Sequence, residues 1–154
     1  MISAQQNTGR RLLQLGVLLF LVGLLVGFAV PHLANPRMGL ASHLEGVMNG
    51  LFLIAMGLLW PQLALSPRQQ RATFILAMFG TFANVLVTFL AAAWGAGSMM
   101  PLAGQGRVGT PVQEVIIKAL LGSLALAMIS VCILLLLGLR AGDTTSATRA
   151  SGGS

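Results

Sequence analysis

Charge is what this chain has least of: 8% of its 154 residues are Asp, Glu, Lys or Arg, where soluble domains run near a quarter. So few charges cannot cover a water-facing surface, and 56% of the residues are hydrophobic, so a soluble globule is excluded. Acids are scarcer still, three in all, which leaves no paired carboxylates for hydrolysis. There is no Ser/His/Asp set and no phosphate-binding loop. The single Cys132 excludes an intrachain disulfide and a cysteine metal cluster. Inside the last apolar run it reads as an inert, buried thiol. The net charge of +6 comes without any Lys/Arg run longer than Arg10-Arg11, so nucleic acid is not an expected partner.

What the chain does have is four long, nearly uncharged runs, each able to cross a hydrocarbon core about 30 Å thick with roughly 20 residues. The expected fold is all-α, an integral membrane bundle of four transmembrane helices at about 12–31, 40–60, 71–94 and 112–139. Residues 1–11 read as a short N-terminal segment, 12–139 as the transmembrane domain, and 140–154, rich in Ser, Thr, Gly and Ala, as a disordered tail. Pro31, Asn35-Pro36, Pro61 and Ser66-Pro67 punctuate the breaks, and Pro111 suits a first helical position. The first run follows two arginines as a signal peptide would, but it is too long for one and lacks a small-residue cleavage site. It reads as a retained helix. Four crossings put both termini on one side, together with Arg10, Arg11, Arg68, Arg71, Arg140 and Arg149; Arg37, Arg107 and Lys118 fall on the other. That asymmetry predicts an inner-membrane protein with cytoplasmic termini. Trp60 and Trp94, at helix ends, are expected to be interfacial anchors.

Polar side chains inside a membrane are costly, so the few present carry the information. Helix two holds His43, Glu45 and Asn49; helix three holds Thr81, Asn84 and Thr88, all on one face. Glu114 and Lys118 form an i,i+4 pair that supports the start of helix four. Gly46 and Gly50 share the face of His43, where either a flat ligand or another backbone could approach closely. Asn49 lies about 120° round the helix from His43, so the two serve one site only in a large pocket or across a subunit interface. Glu45 shares the face of Asn49, as a hydrogen-bond partner or a proton carrier. His32 is the other available histidine and reads as interfacial. The amide and hydroxyls of helix three can orient a small polar substrate but cannot perform strong acid–base chemistry alone. An electrophile would have to be imported, and His43 is the natural place to hold it.

His43 followed six positions later by Asn49-Gly50, with Phe82-Ala-Asn84-Val85 on the third of four helices, resembles the styrene oxide isomerase family. The opening of helix two, Asn35 to Gly50, is still more similar to the family's hydroxylaminobenzene mutases. The resemblance implies a homotrimer with haem b between protomers, His43 as axial ligand to the iron, and Asn49 in the substrate pocket. Thr88 stands where those isomerases have a catalytic tyrosine, and Gly80 where they have an aspartate. Losing the tyrosine favours a different substrate. The expectation is a mutase moving a hydroxyl from nitrogen to the ortho ring carbon of an arylhydroxylamine, with ferric haem as Lewis acid. Asn49, Asn84 and Thr88 would orient the substrate, Phe52, Phe82 and Phe89 would pack its ring, and Arg37 and Arg107 would pair with haem propionates. Gly46 and Gly50 would give the macrocycle room.

Two other classes compete with an isomerase of either substrate. An electron-transfer subunit needs two strong axial ligands, and His32 with His43 is the only histidine pair. A cofactor-free transporter or accessory protein needs a carboxylate deep in a helix for proton-coupled export, and Glu45 and Glu114 lie near helix ends.

Overall fold

The computed structural model describes the backbone of residues 2–151 and the side chains of residues 5–140. It is all-helical, with no strand among the described residues. Helix α1 runs Ile2–Ala29, α2 Pro36–Leu59, α3 Pro67–Trp94, a short α4 Pro101–Gly104, and α5 Pro111–Ser151. Four spans are long and apolar enough to cross a membrane: Gln5–His32, Pro36–Gln62, Pro67–Trp94 and Pro111–Arg140. The side chains of the expected C-terminal tail, beyond Arg140, lie outside the described residues.

Helices α2 and α3 begin four residues earlier than the apolar runs suggest, and the reason is capping. Asn35 accepts a bond from the Met38 N–H and Pro36 occupies the first helical position. Ser66 and Gln69 make a reciprocal capping box over Pro67. Asn35 is fully buried and also donates to the carbonyls of Ala103 and Gly104, while its own N–H bonds the Ala92 carbonyl. One side chain thus ties the start of α2 to the end of α3 and to α4. Helix α1 starts ten residues before its apolar run, with Gln5 donating to the carbonyls of Trp60 and Leu63.

Packing is sequential: α1 lies along α2, α2 on α3, and α3 on α5. The α1–α2 contact is a ladder of glycines. A Cβ on Gly9 would come within 2.9 Å of the Gly57 carbonyl, one on Gly16 within 2.8 Å of that of Gly50, and one on Gly23 within 2.6 Å of the Val47 nitrogen. Small residues let the two backbones touch, the usual source of helix association where lipid offers no hydrophobic drive. Around this ladder pack Leu12, Leu19, Leu53, Met56 and Trp60. Trp60 is 1% exposed and so lies inside the bundle rather than at the lipid headgroups, because the chain turns there into a 3-10 segment that folds back over α1. Trp94, 38% exposed at the end of α3, has the outward placement expected of an anchor. Cys132 faces outward on α5, not into the core.

Glu114 departs from the expected pairing with Lys118. Its carboxylate is buried and accepts from the N–H groups of Gly97, Ser98 and Gly109 and from the Ser98 hydroxyl. Lys118 is exposed, with no ion pair among the described residues. The carboxylate is therefore the pin that folds the 95–110 loop over the end of the bundle. Glu114→Ala would leave three backbone donors without a partner, a loss of about 3 kcal/mol or more. Thermal unfolding should fall accordingly, and limited proteolysis should cut within that loop first.

Candidate active site

The polar residues singled out in the sequence collect in the half of the bundle away from the termini, on two flanks of α2. On one flank, His43 turns towards α1. Its Nδ1 lies 2.8 Å from the Gly23 carbonyl, and a Cβ on Gly27 would come within 2.9 Å of the same atom. A carbonyl accepts only, so Nδ1 is the donor, and Nε2 has no partner among the described residues. A histidine held in this way, one nitrogen donating to a backbone oxygen and the other free, is oriented as metal-binding histidines are.

On the other flank, Glu45 joins the two asparagines. Asn49 Nδ2 donates to Glu45 Oε2 at 3.2 Å, and Asn84 Nδ2, from α3, donates to the same oxygen at 2.6 Å. The Ser42 hydroxyl bonds the Val85 carbonyl beside them and fixes the two helices in register. His43 and Asn49 thus lie on different flanks of α2, as their angular separation requires. Between the flanks α2 exposes an apolar strip of Leu40, Leu44, Met48, Leu51 and Leu58.

Thr88 is placed differently from the expectation. It is 3% exposed, and its hydroxyl donates to the carbonyls of Asn84 and Val85 in its own helix. Thr81 does the same with Ala77. A buried β-branched hydroxyl has its nearest acceptor one turn back, which takes the proton that would otherwise reach a ligand. Of the three polar residues on that face, only Asn84 reaches out of its helix. Gly46 and Gly50 also have a settled use: a Cβ on Gly46 would meet the Gly23 Cα, and one on Gly50 would lie 2.6 Å from the Phe20 nitrogen. Of the two readings of that face, backbone contact fills it, and no space remains there for a macrocycle. Gly80 packs against Met128, whose sulfur would lie 2.5 Å from an added Cβ, so α5 occupies the room an aspartate would need. Arg37 and Arg107 are both exposed at the same end of the bundle, their guanidinium groups unpaired among the described residues. His32 is exposed in the 3-10 turn after α1.

An apolar groove of about 690 Å³ opens between α1, α3 and α5, whose outer backbones stay apart. Val22 and Val26, Phe79, Phe82 and Phe89, and Leu120 line it, with no polar side chain among the lining residues. Phe52 instead packs against the core. No group of three or more His, Cys, Asp or Glu that could hold a bare metal ion exists among the described residues.

Fold and site together define a small four-helix membrane protein with one oriented histidine and a carboxylate-bridged pair of asparagines. The styrene oxide isomerase family model matches residues 8–140. Hydroxylaminobenzene mutase HabB of Ectopseudomonas oleovorans is 56% identical over 139 residues, 90% of this chain and 85% of the relative. Hydroxylaminobenzene mutase HabA of the same organism is 49% identical over 125 residues, 80% of this chain and 93% of the relative. No solved structure matches. The chain belongs to the styrene oxide isomerase family, and its enzyme class is that of an isomerase of the mutase type.

Proposed function

We propose that this enzyme rearranges hydroxylaminobenzene-type arylhydroxylamines to 2-aminophenols in the inner membrane, its termini in the cytoplasm, with haem b held by His43. The observation that carries the reading is the oriented imidazole: Nδ1 is committed to Gly23 and Nε2 is free. One histidine cannot hold a bare metal ion, but it suffices for an iron that arrives with four ring nitrogens. Backbone contact closes the Gly46–Gly50 face, so the fit rests on His43 alone, whose Nε2 has no partner among the described residues. His43 would hold the iron, and Arg37 and Arg107 would pair with propionates at the exposed end. When bound, haem would supply a Lewis acid for the hydroxylamine oxygen, without net redox change.

The chain's own residues supply the rest. The carboxamides of Asn49 and Asn84, gathered on one carboxylate oxygen, orient the N–O group and hydrogen-bond the departing oxygen. Phe82 and Phe89 line an apolar groove in which an aryl ring dissolved in the bilayer would be at home. The two flanks of α2 face apart within one chain, which favours a site completed by self-association. A homotrimer would seal the apolar strip of Leu44, Met48 and Leu51 and bring the His43 of one protomer towards the asparagines of the next. Epoxide isomerisation is the weaker reading, because the Thr88 hydroxyl is bonded into its own helix and is no substitute for a phenol.

The test is a spectrum and an assay on protein purified in detergent after expression with ample haem. A Soret band with conversion of phenylhydroxylamine to 2-aminophenol, and little turnover of styrene oxide, is the expected result. A colourless, active protein would remove the haem and keep the mutase. A coloured protein inert towards phenylhydroxylamine would remove the substrate assignment.

A further inference from the structure

The rearrangement has a proton problem that two neutral amides cannot solve. The N–O bond breaks with its electron pair leaving on oxygen, and the C–O bond forms at the ring carbon ortho to nitrogen. That carbon then holds both oxygen and hydrogen, and the ring is no longer aromatic. Aromaticity returns when the C–H pair goes back to the ring, a proton leaves this carbon, and a proton is taken up by nitrogen. Atoms and electrons balance with no outside oxidant or reductant. The step needs a group that accepts a proton at the ortho carbon and returns one to nitrogen two bonds away.

Resting on the mutase reading, we infer that Glu45 is that group: a catalytic base that carries the ortho proton to the amine. Glu45 is half-buried and is the one acid in this half of the bundle not taken up by loop binding, Glu114 being surrounded by four donors. Both carboxamides donate to Oε2, while Oε1 has no partner among the described residues. The two asparagines that orient the substrate are thus anchored to the group that deprotonates it. Carboxylate and carboxamides form one hydrogen-bonded cluster, so a substrate held by the amides would lie beside the carboxylate. The two departures from the isomerase pattern fit this: Thr88 and Gly80 present no acidic or phenolic group, and Glu45 remains as the sole proton acceptor of the asparagine cluster.

The experiment compares wild type, Glu45→Gln, Glu45→Asp and Glu45→Ala as full-length protein in nanodiscs, with phenylhydroxylamine and its 2,6-dideuterated form. The expected result is a kcat loss of about 10²-fold or more in E45Q with a smaller loss in E45D. A primary isotope effect absent from wild type should emerge in E45Q, and formate should partly restore E45A. An E45Q enzyme within a few-fold of wild type would overturn the inference and leave the mutase reading intact. A large loss with neither isotope effect nor formate rescue would also overturn it, reducing Glu45 to a support for Asn49 and Asn84. If E45Q fails to fold, by elution volume and circular dichroism, the E45D isotope effect decides in the same two directions. Wild type inert towards phenylhydroxylamine would remove the mutase reading and this inference with it.

Discussion

His43→Ala should leave the four helices standing and abolish both the Soret band and the turnover of phenylhydroxylamine. The fold loses one hydrogen bond, Nδ1 to Gly23, worth about 1 kcal/mol. The reaction loses far more. If the imidazole holds the iron, its removal withdraws a Lewis-acid contribution of several kcal/mol, and each 1.36 kcal/mol is about tenfold in rate. A fall of about 10³-fold or more is therefore expected, with a thermal midpoint within a few degrees of wild type. Added imidazole should enter the space left by the side chain and recover part of the band and of the rate. His32→Ala is the matched control: His32 is exposed and shares no partner with His43, so band and rate should stay at wild-type values. Loss of the band in both variants would indicate two axial ligands and restore the electron-transfer reading.

Much of the fold was legible before any coordinates. Four apolar runs bounded by Pro31, Pro61, Ser66-Pro67 and Pro111 become four spans, because a bilayer leaves a helix as the one way to satisfy an isolated backbone. What hydrophobicity alone misplaces is where helices begin. Asn35-Pro36 and Ser66-Pro67 read as breaks, but each is an N-cap followed by proline at the first helical position. Cap chemistry is polar and sits outside the apolar run, so a criterion built on greasiness starts the helix four residues late. Trp60 fails for a related reason. Position at a helix end predicts an interfacial ring, but the 3-10 turn that follows tucks it under α1, a tertiary effect with no local signature.

The site was half legible. The i+6 offset of His43 and Asn49 was enough to place them on different flanks, and their partners, Gly23 of α1 and Glu45, bear out that geometry. The offset of Glu45 and Asn49 likewise anticipated their hydrogen bond. The participation of Asn84 in it, across 39 residues, depends on how α2 and α3 dock and could not be read from spacing. Spacing locates Thr88 on the polar face without telling where its proton goes, which is to the Asn84 and Val85 carbonyls. A signal for the correct reading existed in the residue type, since buried threonines in membrane helices commonly bond one turn back.

The glycine ladder yields the second large effect, since it carries both the fold and the histidine. On Gly46 even a methyl group would collide with the Gly23 Cα, a backbone atom that cannot rotate away. Overpacking that side chains can relieve costs about 1–3 kcal/mol; here α1 and α2 must separate, so Gly46→Leu should exceed that range. Gly23 is also the residue whose carbonyl orients His43, so the same displacement should pull the imidazole out of place. The variant should accordingly unfold at a markedly lower temperature, and any folded fraction should bind haem weakly. Gly122→Ala separates this effect from a general intolerance of side chains at glycine. Apart from its own helical backbone, nothing lies within 4 Å of an added Cβ there, and alanine in mid-helix should stabilise α5 by about 0.5–1 kcal/mol. Thermal unfolding followed at the Soret wavelength and by far-ultraviolet circular dichroism reads both consequences at once. A Gly46→Leu protein with the wild-type midpoint and full absorbance would mean that α1 and α2 do not touch through this ladder, and the placement of His43 would have to be rebuilt from another contact.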